Sequence, residues 1–390
     1  MPWQETDLVN ERLKFVAAWQ CGRSTMTELC AEFGISRKSG YKIISRYRAE
    51  GPSGLLDRTR APRSHPNRSP LEVEASVLRV RRAHPTWGSK KILAVLGLSD
   101  PELVLPARST VEAILDRAGV VRRRRARRLR APSAEPYVDA AAPNDVWSAD
   151  FKGWFRLGDG TRCDPLTIND VCSRYSLVCQ AMRRPQLEGV RKRFELAFRE
   201  FGLPSAILTD NGPPFGSVGI GHLTRLSVWF LKLAIRPLFI VPGHPEHNGR
   251  HERFHRTLGE ETASPPKATR GAQQRAFSGF RREYNAERPH ESLGMLSPGQ
   301  VYTSSPRAFR RQVGDFEYNA AFEVRQVRRD GSVKWQGGHA FVGEAVRGER
   351  VGLERVDEEV WHLHIGMLRV GVLAGRTRVI VPILPASDAS

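Results

Sequence analysis

Apolar and polar positions change rhythm twice along the chain. Over residues 8–50 the spacing is helical: LVNERLKFVAAW places Leu8, Leu13, Phe15, Val16 and Trp19 at roughly helical spacing. TMTELCAEFGISRKSGYKIISRYRAEG follows, with Leu29, Phe33 and Ile35 toward a core, a break at Gly34, and Ser36 placed to cap the next helix. Helix, short glycine turn and capped helix predict a helix-turn-helix. Residues 71–119 give a second, weaker version, with Trp87 before a break at Gly88, Ser89 as a cap, and Ser109 or Thr110 capping a later helix. From Asn144 the rhythm changes. VWSADFKGWFRLGDGTRCDPLTINDVCSRYSLVCQAM predicts three strands, with turns at 158–160 and 170–174. LEGVRKRFELAFREFG sets Val190, Phe194, Ala197, Phe198 and Phe201 on one helical face. AILTD reads as a strand, HLTRLSVWFLKLA as a helix, IRPLFIVPG as a short strand, and NGRHERFHRTLGEE opens another helix. The order β-β-β-α-β-α-β-α predicts an α/β layer fold with a mixed sheet. Residues 316–390 alternate apolar and polar, and Asp330-Gly331 marks a hairpin.

The expected organisation is multidomain. It has helix-turn-helix modules over 1–60 and 71–120, an Arg-rich linker over 121–143, an α/β core over 144–302, and a small all-β (SH3-like) barrel over 316–390.

Charge sharpens this picture. The 390 residues carry 61 Lys+Arg against 42 Asp+Glu, a formal net charge of +19, which points to a polyanionic partner. The second helix of the first module opens with Ser36, Arg37, Lys38, Tyr41 and Lys42, a surface suited to a major groove. Lys90 and Lys91 open the corresponding helix of the second module. VRRRRARRLR over 121–130 contributes Arg122, Arg123, Arg124, Arg125, Arg127 and Arg128, a run that neutralises phosphates without reading sequence. No apolar run approaches the ~20 residues of a spanning helix, so no membrane partner is expected. The N-terminus has no secretory pattern. Five cysteines with no CxxC pair read as reduced, buried thiols of a cytoplasmic protein.

Three acids carry the candidate chemistry. Asp150 ends the strand-like VWSAD, Asp210 ends AILTD, and Glu252 lies in the first turns of a helix. Side-by-side strands bring the two aspartates to one edge, and a helix crossing that edge adds the glutamate. Such carboxylates repel one another unless cations separate them. Oxygen donors suit Mg²⁺, with Mn²⁺ as a substitute. Two ions about 3.5–4 Å apart would serve an in-line phosphoryl displacement. Asn211-Gly212 then turns the backbone away and leaves room for a phosphodiester. A competing motif is HERFH, residues 251–255, which matches the H-E-x-x-H zinc helix with Glu283 as third ligand. A zinc peptidase gives no reason for the basic charge.

WSAD, TDNG, HPEHNGRHERFHRTL and YNAERPHESLG, in that order, resemble the integrase core of DDE-class transposases and retroviral integrases. Helix-turn-helix modules ahead of the core make the chain similar to bacterial insertion-sequence transposases. The resemblance implies a ribonuclease-H-like fold. It also implies binding to terminal inverted repeats, nicking of their 3′ ends, and joining of those ends to target DNA. Asp150 matches the first acid, with Asp164 and Asp170 as rivals, and Asp210 matches the second. For the third, Glu246 lies 36 positions after Asp210, the familiar spacing. Glu252 is preferred because it follows Asn248-Gly249 inside the helix, and the insertion GSVGIGH accounts for the longer interval. By the same resemblance, Arg250, Arg253 and Arg256 would grip phosphates, while Arg288 and His290 would tie the last helix to the core. His247, His251 and His255 would face phosphate or core, and Trp147 and Trp154 would be core aromatics. The implied partners are double-stranded DNA, as element ends and target, and further copies of the chain, at least a dimer on DNA. The implied setting is the bacterial nucleoid. The alternative is a catalytically inactive DNA-binding regulator on the same scaffold.

Overall fold

The computed structural model describes residues 8–58, 68–121, 138–241, 248–375 and 377–383. The chain divides into two compact units, Met1–Arg68 and Ser69–Ser390. The arginine run, Glu246 and His247 lie outside the described residues.

Among its described residues the first unit holds three α-helices, α1 (Leu8–Gln20), α2 (Met26–Glu32) and α3 (Arg37–Glu50). Phe15, Val16, Leu29, Cys30, Ile44 and Leu55 close its core, whereas Leu8 and Leu13 are exposed. Gly34 turns the chain at φ +63°, and Ser36 Oγ accepts from Ser39 N–H, so the expected cap forms. Gly40 permits the close approach of α3 to its neighbours: a Cβ there would stand 2.6 Å from Cys30 Sγ and 3.0 Å from the Phe15 ring. Burying that face leaves Ser36, Arg37, Lys38, Tyr41 and Lys42 exposed.

The second unit begins with α4 (Leu71–Ala83), α5 (Ser89–Ser99) and α6 (Arg108–Arg117), packed around Val77, Trp87, Ile92, Leu96, Val111 and Ile114. Two expected caps do not form. Ser89 is already inside α5 and donates instead to Glu112 Oε1 at 2.9 Å. Ser109 and Thr110 lie within α6, whose N-cap is Ala107.

The α/β region follows: β1 (Val146–Phe151), β2 (Phe155–Arg156), β3 (Arg162–Asp170), β4 (Ser176–Met182), α7 (Leu187–Phe201), β5 (Ala206–Thr209), α8 (Arg225–Lys232), β6 (Arg236–Phe239), α9 (Gly249–Thr262), α10 (Arg270–Ala286) and the short α11 (Pro298–Val301). The sheet runs β2-β3-β1-β5-β6, with β4 on β3. It is mixed: β1, β5 and β6 run parallel, while β3 is antiparallel to β1, β2 and β4. Four strands stand where three were expected, because the first arm breaks before β2 at Gly153, φ +86°. Trp147, Leu166, Ile168 and Ile207 meet the apolar face of α7 and α8. Trp147 is fully buried, 5.7 Å from Phe198. Trp154, expected in the core, is 54% exposed beside that break, with Arg156 and Arg162 over its ring. Helices α9 and α10 enclose a further core with Leu157, Cys163, Cys179, Phe254, Leu258, Phe277 and Phe280.

The C-terminal region is all-β: β7 (Phe322–Gln326), β8 (Ser332–Trp335), β9 (Gly338–Phe341), β10 (Arg350–Asp357), β11 (Val360–Ile365), β12 (Leu368–Ala374) and β13 (Ile380–Pro382). The expected barrel is not closed. Five strands form an open antiparallel sheet, β13-β12-β11-β10-β7, and β8 pairs only with β9, so among the described residues nothing joins the sheet's two edges. The two sheets meet through Trp335 and Trp361, centroids 4.9 Å apart. This region packs on α8 through Val228 and Leu231 and on Leu223 just before it, and Lys232 Nζ reaches Glu349 Oε2 at 2.8 Å. The insertion after Asp210 is part of that joint: Ile220 packs on the same core, and a Cβ on Gly221 would stand 3.0 Å from Val370.

All five cysteines are free. Cys30, Cys163 and Cys179 are buried, but Cys21 is exposed, contrary to the expectation of buried thiols. No helix among the described residues is long and apolar enough to cross a membrane.

Candidate active site

The parallel pairing of β1 with β5 runs from Val146↔Ala206 to Ala149↔Thr209. The next residue on each strand is therefore an aspartate, Asp150 beside Asp210. Alternation along β1 turns Trp147 and Ala149 toward α7 and Ser148 and Asp150 toward α9. On α9, Asn248, Glu252, Arg256 and Gly259 share one helical face. Asn248 Nδ2 donates to Asp150 Oδ2 at 2.8 Å. Glu252 is exposed in the first turn of α9, and its charge is felt at Asp150.

Burial, then the Asp210 carboxylate, and last Glu252 push the Asp150 carboxyl up to about 7. Burial also raises Asp210, opposed by the Gly212 N–H. Asp210 Oδ1 is buried with no hydrogen-bond partner. Gly212 matters for space: a Cβ there would stand 3.1 Å from Asp210 Oδ2. The acids thus stand in one another's field without being drawn together, since their oxygens do not all lie within 4.8 Å of one another. Mutual repulsion, burial and an orphaned carboxylate oxygen are what a hard divalent cation relieves, so the donor set fits Mg²⁺.

The rivals are spoken for. Asp170 accepts from Asn144 N–H, Ser173 N–H and Ser173 Oγ and shapes the turn after β3. Asp164 pairs with Arg162 through two bonds of 2.6 and 3.1 Å. The zinc reading of HERFH fails for the same reason. His251 is buried, with Nδ1 2.9 Å from Ser148 Oγ and Nε2 2.5 Å from Thr167 Oγ1. His255 Nε2 shares that Thr167 hydroxyl at 2.7 Å. Both rings therefore anchor α9 to β1 and β3. Burial holds His251 well below its usual range, and burial with Lys152 lowers His255 to about 3. Glu283 is engaged elsewhere, 2.7 Å from His84 Nδ1.

Arg250, Arg253 and Arg256 are exposed on α9. Arg256 shares the Glu252 face, whereas Arg250 and Arg253 point round the helix toward Arg174, Arg288 and Lys91. Arg288 meets Glu261 Oε1 at 2.7 Å, and the His290 ring lies 5.0 Å from that of Tyr284. Lys90 and Lys91 each have an acid nearby. Lys90 pairs with Glu291, and burial beside Arg288 lowers Lys91 to about 8, near Glu261. Thr86 also donates to Glu261 Oε1, at 2.5 Å, so the start of α5 faces α9 and α10. The roles of Asn248, Ser148 and Thr167 escaped the sequence reading, which places His251 and His255 against phosphate or core. Only the apolar-to-hydroxyl alternation of β1 and β3 signalled a polar strip under the helix.

Family models match the chain in four places. They are a helix-turn-helix domain over 11–63, a homeodomain-like domain over 39–115, and integrase core domains over 140–245 and 233–298. The chain is 30% identical over 200 residues to the insertion element IS407 uncharacterized 31.7 kDa protein of Burkholderia multivorans, covering 50% of this chain and 70% of that one. The chain belongs to the insertion-sequence transposases with an integrase core. The insertion element IS476 uncharacterized 39.2 kDa protein of Xanthomonas euvesicatoria is 27% identical over 230 residues, 58% of this transposase-family chain and 64% of the relative. Among solved structures, a chain of the simian T-cell lymphotropic virus intasome in complex with PP2A regulatory subunit B56 gamma overlaps 79% of this chain and 99% of its own, at 15% identity and TM-score 0.39. The HTLV-2 integrase catalytic core domain in complex with magnesium overlaps 42% and 100%, at 16% identity and TM-score 0.34.

Proposed function

We propose that this protein is a DNA transposase that binds the terminal inverted repeats of its element, nicks their 3′ ends and joins them to target DNA. The observation that carries the reading is the placement of Asp150 and Asp210 at the ends of adjacent parallel strands, with Asp210 Oδ1 buried and unpartnered. Asp150, Asp210 and Glu252 are the residues that would hold divalent cations, two Mg²⁺ or Mn²⁺. When bound, these would stabilise the attacking and leaving oxygens of a phosphoryl displacement. In nicking, water attacks the scissile phosphorus and the element's 3′-oxygen leaves. In joining, that 3′-hydroxyl attacks a target phosphodiester and the target's own 3′-oxygen leaves.

The chain's residues divide the remaining work. Asn248 orients Asp150, and the buried His251 and His255 fix α9 against the sheet. Gly212 keeps the space beside Asp210 open. Arg256 lies beside Glu252, available to a DNA phosphate. The exposed start of α3, with Ser36, Arg37, Lys38, Tyr41 and Lys42, is the base-reading surface. The arginine run from Arg122 to Arg128 adds salt-dependent backbone affinity. Joining two element ends requires at least two copies of the chain on DNA.

The test is Asp210→Asn with labelled element ends. Mg²⁺-dependent nicking and joining should disappear while salt-sensitive binding of the ends persists. Joining by the variant would refute the acid assignment. Binding without cutting by the unaltered protein, in Mg²⁺ or Mn²⁺, would make it a regulator.

A further inference from the structure

Far from the three acids, one face of the C-terminal sheet gathers a different set of donors. His362 and His364 are two apart on β11 and so project from the same side. Glu354 on β10 is the direct cross-strand partner of His362, and Glu354 Oε2 lies 3.2 Å from His364 Nε2. One ligand atom from each of the three falls within 4.8 Å of the others, the only such trio among the described residues. The sheet fixes this spacing: β10 and β11 are consecutive antiparallel strands, and Tyr318 Oη donates to the His364 carbonyl at 3.2 Å. The Phe322 ring stands edge-on to His364, centroids 5.1 Å apart, and shields one side. His364 Nε2 is buried with no well-formed hydrogen bond, despite the nearby carboxylate. The cation facing the group, Arg369 opposite His364 on β12, is exposed and its charge is screened by water.

We propose that Glu354, His362 and His364 form a binding site for one first-row divalent transition metal ion of the zinc class. Two imidazole nitrogens and one carboxylate oxygen are the donors that Zn²⁺ takes and Mg²⁺ does not select. Three protein ligands leave a coordination position for water or for a group on a partner. Because all three ligands lie on one strand pair, the ion would clip β10 to β11 and stiffen the sheet that rests on α8.

The experiment uses the untagged full-length chain, stripped with chelator and titrated with Zn²⁺ by calorimetry and with Co²⁺ by visible absorption. One equivalent of Zn²⁺ should bind, and Co²⁺ should give the d–d bands of a nitrogen-and-oxygen site. Both signals should be lost in His362→Asn and in His364→Asn, weakened in Glu354→Gln, and retained in Asp150→Asn/Asp210→Asn. Circular dichroism and element-end binding check that the variants fold. Glu354→Gln, at a half-exposed position, keeps the test decisive if a histidine variant does not. Absence of a stoichiometric ion in the unaltered protein would overturn the proposal. So would Zn²⁺ binding insensitive to all three ligand substitutions. Neither result bears on the reading of the catalytic acids.

Discussion

Asn248 donates its side-chain amide to Asp150 Oδ2 across 2.8 Å, joining the start of α9 to the end of β1. This bond connects the two elements that must meet for Glu252 to stand near the aspartates. Replacing Asn248 with Ala removes an orienting partner without removing a carboxylate. Outer partners of this type typically contribute about 10–100-fold to metal affinity or activity. Single-turnover joining should fall by that order at limiting Mg²⁺ and recover in part at high Mg²⁺, with end binding unchanged.

Asp150 gives a pH dependence whose sign follows from its raised carboxyl. Folding favours the protonated form, so its contribution to stability is complete below the ordinary 3.8 and is lost as pH rises through about 7. In chelator, thermal stability should therefore carry a component that declines from about pH 4 to pH 7. Asp150→Asn should remove that component and also the stabilisation by Mg²⁺ at neutral pH. Melting curves with and without Mg²⁺ check both.

The buried histidines act in the opposite direction. His255 and His290 are each lowered to about 3, chiefly by burial, and His251 is lowered as well. Their stabilising effect is present above the ordinary 6.5 and is lost as pH falls from there toward 3. His255→Gln should cost stability at pH 8 and flatten the acid side of the profile. Chemical denaturation at several pH values separates the two effects.

Lys90 already pairs with Glu291, and Lys91 is buried beside Arg288 and Glu261. Lys90→Gln/Lys91→Gln should leave the salt dependence of end binding unchanged. Arg37→Gln/Lys38→Gln on α3 should reduce the slope by about two, one for each phosphate that is no longer neutralised. Binding isotherms at several salt concentrations distinguish the pairs. An equal slope change for both pairs would contradict the packing of α5 on the core.

Gly40 marks a close approach of α3 to its neighbours in the first unit. Gly40→Ala pushes a methyl against Cys30 Sγ and the Phe15 ring and should destabilise that unit by about 1–3 kcal/mol. Sequence-specific binding should weaken as the unit loosens, while the melting transition of the second unit stays in place.

Much of this protein could be read along the chain. The helix-turn-helix spacing, the Ser36 cap, the α7 face and the ends of β1 and β5 all depend on neighbours a few residues apart, where periodicity and capping chemistry dominate. Asp150 and Asp210 stand out because an acid that ends an apolar strand breaks the local pattern, whereas Glu252 is preferred on the motif around it. What the sequence could not specify depended on partners far away in the chain. Lys90 and Lys91 read as DNA-binding before Glu291, after α10, stood beside one and Glu261 of α9 beside the other. HERFH offered a competing zinc motif, and only Ser148 and Thr167, over 80 residues earlier, show what its imidazoles hold. Trp154 read as core until the strand broke at Gly153. The barrel stayed open, and Glu354 met His362 and His364, only through strand register. Periodicity tells a side chain which face it occupies, but tertiary packing chooses what lies opposite, and for charged and polar groups that choice decides the chemistry.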